Sequence, residues 1–286
     1  MTLDEPTSPT YDVDELDDWA ESELALELDL YGAPQGYQAP VLVSQLDGIT
    51  HAHYDQLRSR VFGTSNPHLF TESEQPYWYA MTRSCHDAWG GARALAERWG
   101  KDLPADFSQD SPRYCQKRFG QTRTVLPDGT IVRIAGEHED SYDPDFCIYN
   151  DVLVIHPHPS SSDGTEQGCR PLSLYGYPRS IFPPTDFHTS TLVGDKIWII
   201  GNLGYGTERR VGETQVLQLD VQTFAILPIE TSGDNPGWLS KHTARLVGDE
   251  IIVNSGQIQV DDQRELQKLA GEYGLNLVSR QWRQIL

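Results

Sequence analysis

From about residue 115 onward, short apolar runs alternate with turn residues. Ile131-Val132-Arg133-Ile134, Ile197-Trp198-Ile199-Ile200 and Ile251-Ile252-Val253 are largely apolar on both strand faces, as strands sandwiched between neighbouring sheets must be. Each follows a polar stretch and a Gly/Asp turn, so this part reads as all β, with Ile134, Ile199, Ile200 and Val253 expected in the innermost buried strands. Upstream the period changes. Tyr79, Met81, Cys85, Ala88, Trp89, Ala92, Leu95 and Trp99 fall mostly three or four residues apart, which predicts one helix from about Glu72 to Trp99. Gly90-Gly91 weakens its middle, and Gly100 and Pro104 stop it. Tyr77-Trp78-Tyr79 supplies an anchoring face, and a shorter helix is expected between Ile49 and Phe62. Near the start, Leu24, Leu26, Leu28 and Leu30 alternate as in a half-buried strand, whereas Leu16, Trp19, Ala20 and Leu24 fit a helix. The pattern divides the chain into an arm (1–31), a Gly/Pro-rich linker (32–48), a helical region (49–114) and a β region (115–286).

The β region repeats. The run from His188 to Ile197 returns 54 residues later as His242 to Ile251, and an earlier copy lies 66 residues upstream in Thr122, Leu126-Pro127-Asp128-Gly129 and Ile131 to Ile134. The copies close on small residues: Ala135-Gly136, Gly201-Asn202 and Ser255-Gly256. A later strand follows each, in Tyr149-Asn150-Asp151-Val152 and in Val216 to Asp220, and Trp282 stands near the end. These residues resemble the kelch repeat of the galactose-oxidase-central-domain-like β-propeller family. Phe224 takes the place of the closing Trp in the second copy. The pattern departs from the family in its broken double glycines, in the missing Trp of the first copy and in an insertion from Arg264 to Tyr273 that reads as helical. The resemblance implies a mainly β, partial propeller of three four-stranded blades at about 115–184, 185–240 and 241–286. Three blades would leave two open apolar faces, so the α-rich N-terminal region is expected to pack on them or complete them. Closure by a second copy, a homodimer, is the alternative. His188 and His242 recur at one blade position, which points to a structural bond rather than catalysis.

Charge adds one feature to this picture. Among 286 residues, 42 Asp and Glu face 22 Lys and Arg, a formal −20 that argues against nucleic acid or an anionic membrane as main partner. Thirteen acids precede the first basic residue, Arg58, leaving 29 acids against 22 bases, or −7, for the rest. The acidity therefore belongs to the arm, which reads either as a solvated tail or as a docking surface for a basic protein. No secretory signal pattern and no run of about 18 apolar residues occurs, so a cytoplasmic protein is expected. Cys85, Cys115, Cys147 and Cys169 have neither zinc-site nor disulfide-framework spacing and read as reduced thiols.

The densest polar cluster is Glu137-His138-Glu139-Asp140 with Asp143 and Asp145, followed by His156 and His158. Clustered carboxylates and imidazole suit a divalent metal, with Glu137, His138, Asp140, Asp143 and Asp145 as candidate ligands; a solvated turn bent at Asp143-Pro144 is the competing reading. No other cofactor is expected. Gly201 to Gly206 with Arg209-Arg210 reads as a hairpin loop rather than an anion cradle, and no nucleophile elbow, Walker loop or HExxH occurs. The leading expectation is a non-catalytic protein-recognition module. Its partner-binding candidates are Asp14, Asp17, Trp19, Glu23 and Glu27 in the arm, with Tyr205 and Arg209 in the loops. The alternatives are an inhibitor or immunity-type protein that neutralises a basic toxin-like partner, and a metal-assisted enzyme centred on the 137–158 region.

Overall fold

The computed structural model describes residues 26, 28–31, 46–57, 62–102, 114–138, 146–157, 169–261 and 265–285. The N-terminal region contributes α1 (His51–Leu57), β1 (His68–Phe70), α2 (Pro76–Ser84) and α3 (Ala88–Trp99). The single helix expected over 72–99 is thus two. It breaks at Cys85, which takes left-handed backbone (φ 53°) at the end of α2, and Asp87 restarts it by accepting the Gly90 N–H as an N-cap. Gly90-Gly91 therefore sits in the first turn of α3. A Cβ on Gly91 would lie 2.5 Å from the Met81 sulfur, so the small residue lets the two helices close on each other.

The remainder is mainly β. Sheet I comprises β2 (Thr122–Val125), β3 (Ile131–Ile134), β6 (Asp151–Ile155) and β7 (Leu172–Gly176), with β1 added antiparallel outside β7. Sheet II comprises β8 (Thr189–Val193), β9 (Lys196–Ile200), β10 (Val216–Asp220) and β11 (Ile226–Pro228). Sheet III comprises β14 (Thr243–Val247), β15 (Glu250–Asn254), β18 (Glu272–Asn276) and β19 (Gln281–Gln284), with β12 (Ser232–Gly233) running parallel to β19. Two small ribbons stand beside them: β4 (Glu137–His138) with β5 (Cys147–Ile148), and β13 (Trp238–Ser240) with β16 (Gln257–Gln259) and β17 (Leu266–Lys268).

Pairing registers make the three meanders equivalent and correct the alignment read from sequence. Thr122 pairs with Ile134, Thr189 with Ile200 and Thr243 with Asn254, so Gln121, not Thr122, occupies the place of His188 and His242. Leu219 faces Ile226 as Leu275 faces Trp282, so Ile226 rather than Phe224 stands at the Trp position. The insertion expected to be helical holds β17 and the start of β18. Ile134, Ile199, Ile200 and Val253 are all buried, but in the second strand of each sheet, next to the inner strands β2, β8 and β14 rather than in them.

Side-chain alternation along the strands builds the core. Val132, Ile134, Val152 and Val154 of sheet I meet Ile197, Ile199, Leu217 and Leu219 of sheet II. From the other side of sheet II, Trp198, Ile200 and Val216 meet Ile251, Val253, Leu275 and Trp282 of sheet III. The two outer faces end differently. Ile131, Leu153 and Ile155 of sheet I are covered by Cys85, Leu26 and Leu30. Residues 26 and 28–31 are helical, so the leucine alternation does not form a strand here, and the i, i+4 pair Leu26/Leu30 faces the sheet. The outer face of sheet III instead carries the pairs Arg245–Glu272 (3.2 Å) and Arg283–Glu250 (2.7 Å), with Asn254 bonded to Glu272 (2.8 Å). Asn254 holds the register position of Ile134 and Ile200, which are apolar because another sheet follows them. The three-sheet stack therefore has one covered face and one charged face, rather than two open apolar ones. Among the described residues, no helix is long and apolar enough to cross a membrane, and none of the four cysteines is in a disulfide.

Candidate functional site

The second strand of each sheet leaves through left-handed backbone at one end of the stack: Ala135 (φ 50°) and Gly136 (φ 90°), Gly201 (φ 81°), and Ser255 (φ 60°) and Gly256 (φ 82°). A Cβ on Gly136, Gly201 or Gly256 would lie 2.5–2.8 Å from the carbonyl oxygen of Phe119, Leu239 or Ser240 respectively. Glycine is required by close backbone approach as well as by φ, and the loops are thereby drawn over the sheet ends.

Asp186 sits at the centre of this end and is fully buried. Its N–H donates to Asn202 Oδ1 (3.1 Å), its carbonyl accepts from Leu203 N (3.0 Å), and its Oδ1 accepts from Gly204 N (2.6 Å). Burial raises the carboxyl above its ordinary value, opposed by the bonds from Gly204 and Glu137 and by the Arg209 charge. Arg209 donates to the carbonyls of Leu203 (2.8 Å) and Gly204 (3.2 Å) and to Gln259 Oε1 (3.3 Å). The Tyr205 hydroxyl accepts from Ile148 N of β5 (2.9 Å). Beside this cluster opens a cleft of about 940 Å³. Arg179 and Ile181 line it from the segment between sheets I and II, Asn202 and Arg209 from the β9–β10 loop, and Asn235 and Trp238 from the segment leading to sheet III. Its mixture of apolar wall and convergent polar groups, and its size, suit a small ligand or a short peptide segment.

Glu137, Tyr205 and Arg209, singled out separately in the sequence, are thus brought together around Asp186. The other candidates fare differently. Asp140, Asp143 and Asp145, and the arm residues Asp14, Asp17, Trp19, Glu23 and Glu27, lie outside the described residues. His138 faces away from Glu137, as successive strand residues do, and its Nδ1 bonds the Tyr149 hydroxyl inside the core. His156 bonds Ser173 (3.0 Å). Among the described residues, no three His, Cys, Asp or Glu side chains are grouped to hold a metal.

The most highly connected charges were not anticipated. Arg118 forks onto Asp151 (2.5 and 2.9 Å), donates to the carbonyls of Cys115 (2.6 Å) and Ala135 (3.1 Å), and stacks 3.4 Å from the centre of the Tyr149 ring. Burial is the largest influence and works against this guanidinium, but the charge and hydrogen bonds of Asp151, together with Tyr114 and Tyr149, outweigh it and raise its pKa. Asp29 accepts from Arg123 (2.6 Å) and from Arg133 (3.0 Å), whose pKa burial lowers to about 10. Arg133 takes the place of Ile199 and Val253, so an arginine amid an apolar strand was the available signal.

No family model matches this sequence, and no curated protein does. A solved structure titled "Structure of YjhT" is similar to 59% of this chain, with 11% sequence identity and a TM-score of 0.41. The match spans half of that structure's own length (50%), a likeness that fixes neither fold nor activity.

Proposed function

We propose that the chain is a non-catalytic protein-recognition module built on kelch-like blades, a partial propeller covered at one end and charged at the other rather than closed, and working in the cytoplasm. The observation that carries this reading is that side chains able to do chemistry are committed to holding the fold. Arg118 and Asp151 join the approach to sheet I to its third strand; Asp29 joins the arm's root to Arg123 and Arg133; His188 and His242 bond Thr122 and Thr189 of the preceding sheets. Apart from these stand the loop-end cleft and, in the sequence, the segment 1–25, which has nine acids and no Lys or Arg. Such a segment steers a basic partner protein, and the loops supply the specific contact.

Leu26, Asp29 and Leu30 belong to the packed fold, so the informative truncation removes residues 1–25 and spares 26–31. If the arm is an interaction element, as this reading holds, that variant is expected to melt within about 2 °C of the full chain. Partner capture should be lost, and capture by the full chain should weaken steeply as salt rises. Capture that survives the truncation and is indifferent to salt refutes the arm's role. Capture unaffected by both Arg209→Ala and Trp238→Ala refutes the cleft's.

A further inference from the structure

The inner strands β2, β8 and β14 stand side by side, and one joint is built twice. Phe187 N donates to the Gly120 carbonyl (3.0 Å), and Lys241 N to the Phe187 carbonyl (2.9 Å). One residue on, His188 Nε2 lies 2.8 Å from Thr122 Oγ1, and His242 Nε2 lies 2.9 Å from Thr189 Oγ1. Both imidazoles are buried, and neither Nδ1 has a hydrogen-bond partner. A neutral ring tolerates this arrangement by leaving Nδ1 bare. A protonated ring does not, because both nitrogens must donate and the charge has no water around it.

We infer that His188 and His242 form an acid-operated latch: neutral, they hold the three sheets together at their inner strands, and protonated, they part the sheets and dismantle the cleft between their loops. The cleft depends on these joints because its walls come from the segments between sheets I and II and between II and III, as well as from sheet II's own loop. Among neighbouring groups, His242 faces His188 and further disfavours its charge; Asp186 turns to Gly204 N, and Lys241 lies over the Phe187 ring. Burial pulls the imidazoles from 6.5 down to about 3 at His188 and about 4 at His242. With folded values below unfolded ones, the latch is at full strength above about pH 6.5 and weakens as pH falls from there toward 4 and 3.

Sheet I shows which replacement to use, because Gln121 occupies the same register position without titrating. Amide hydrogen exchange over 189–193 and 243–247, corrected for its intrinsic pH dependence, is compared between wild type and His188→Gln/His242→Gln. Wild type should gain at least about tenfold in exchange between pH 7 and pH 4.5, and the double variant should gain much less. Equal gains in both proteins overturn the latch. If the variant does not fold, proton NMR of the wild-type imidazoles decides. Protonation below about pH 5 together with the rise in exchange supports the proposal; protonation near pH 6.5, or without that rise, refutes it.

Discussion

Asp29 shows how much one side chain can matter in a stack of sheets. It is 3% exposed and is the carboxylate that accepts from both Arg123 and Arg133. Replacing it by Asn leaves Arg133 charged and buried without a counter-charge, so Asp29→Asn should destabilise by about 3–5 kcal/mol, measured by urea denaturation. Arg133→Met, which removes the buried charge and leaves Asp29 with the half-exposed Arg123, should cost markedly less. An equal loss in both variants would show that the contact is simple packing. Gly201 makes a second residue-scale case. At φ 81°, with the Leu239 carbonyl 2.6 Å from a Cβ, Gly201→Ala should cost more than the ~1 kcal/mol of left-handed backbone alone, read as a fall in melting temperature.

At the scale of elements, position in the stack decides what each strand can carry. Ile199 lies between sheets I and II and is fully buried. Ile199→Asp places an unpaired charge there and should unfold the protein; a soluble variant with an unchanged melt would refute the placement. Ile252, on the outer side of β15 among Arg245, Glu250 and Glu272, is nonetheless only 4% exposed, so Ile252→Thr should cost about 1–3 kcal/mol, measured by urea denaturation, well short of unfolding the protein. The helical residues 26 and 28–31 behave as a capping element. Deleting 1–31 uncovers Ile131, Leu153 and Ile155, so it should lower the melting temperature by roughly 4 °C or more, and by more than deletion of 1–25 does.

For the whole molecule, the consequence is that the N-terminal helices and the three stacked sheets are expected to behave as one folding unit. Arg118 to Leu286 expressed alone exposes the apolar outer side of sheet I, and also the Leu174 and Tyr149 surfaces that pack against α2 and α3. It should aggregate or form an ordered oligomer through that side, since the opposite end is charged; a monodisperse monomer by light scattering would refute this. The full chain needs no second copy to cover sheet I.

The β character, the repeat, the turns and the identity of the buried strands were legible in the sequence. Each rests on local chemistry: period-two side chains, Gly/Asp turns and runs of Ile and Trp that only a two-sided burial accommodates. Glu137, Tyr205 and Arg209 were also legible, one at a time, as unusual polar residues in loops. Their meeting around Asp186 was not, because residues 137, 186 and 209 converge only when two sheets stack with their loops at one end. The same holds for the repeat register, which a one-residue longer hairpin in sheet I displaced, and for the break at Cys85, where packing against Met81 outweighed the helical stripe. Above all, the two ends of the stack were decided by tertiary structure. Arg133 interrupts an apolar strand and Asn254 follows the apolar run Ile251–Val253, and a sequence does not say which sheet is first or last. Burial against Asp29 makes the arginine a joint, and open solvent makes the asparagine a boundary.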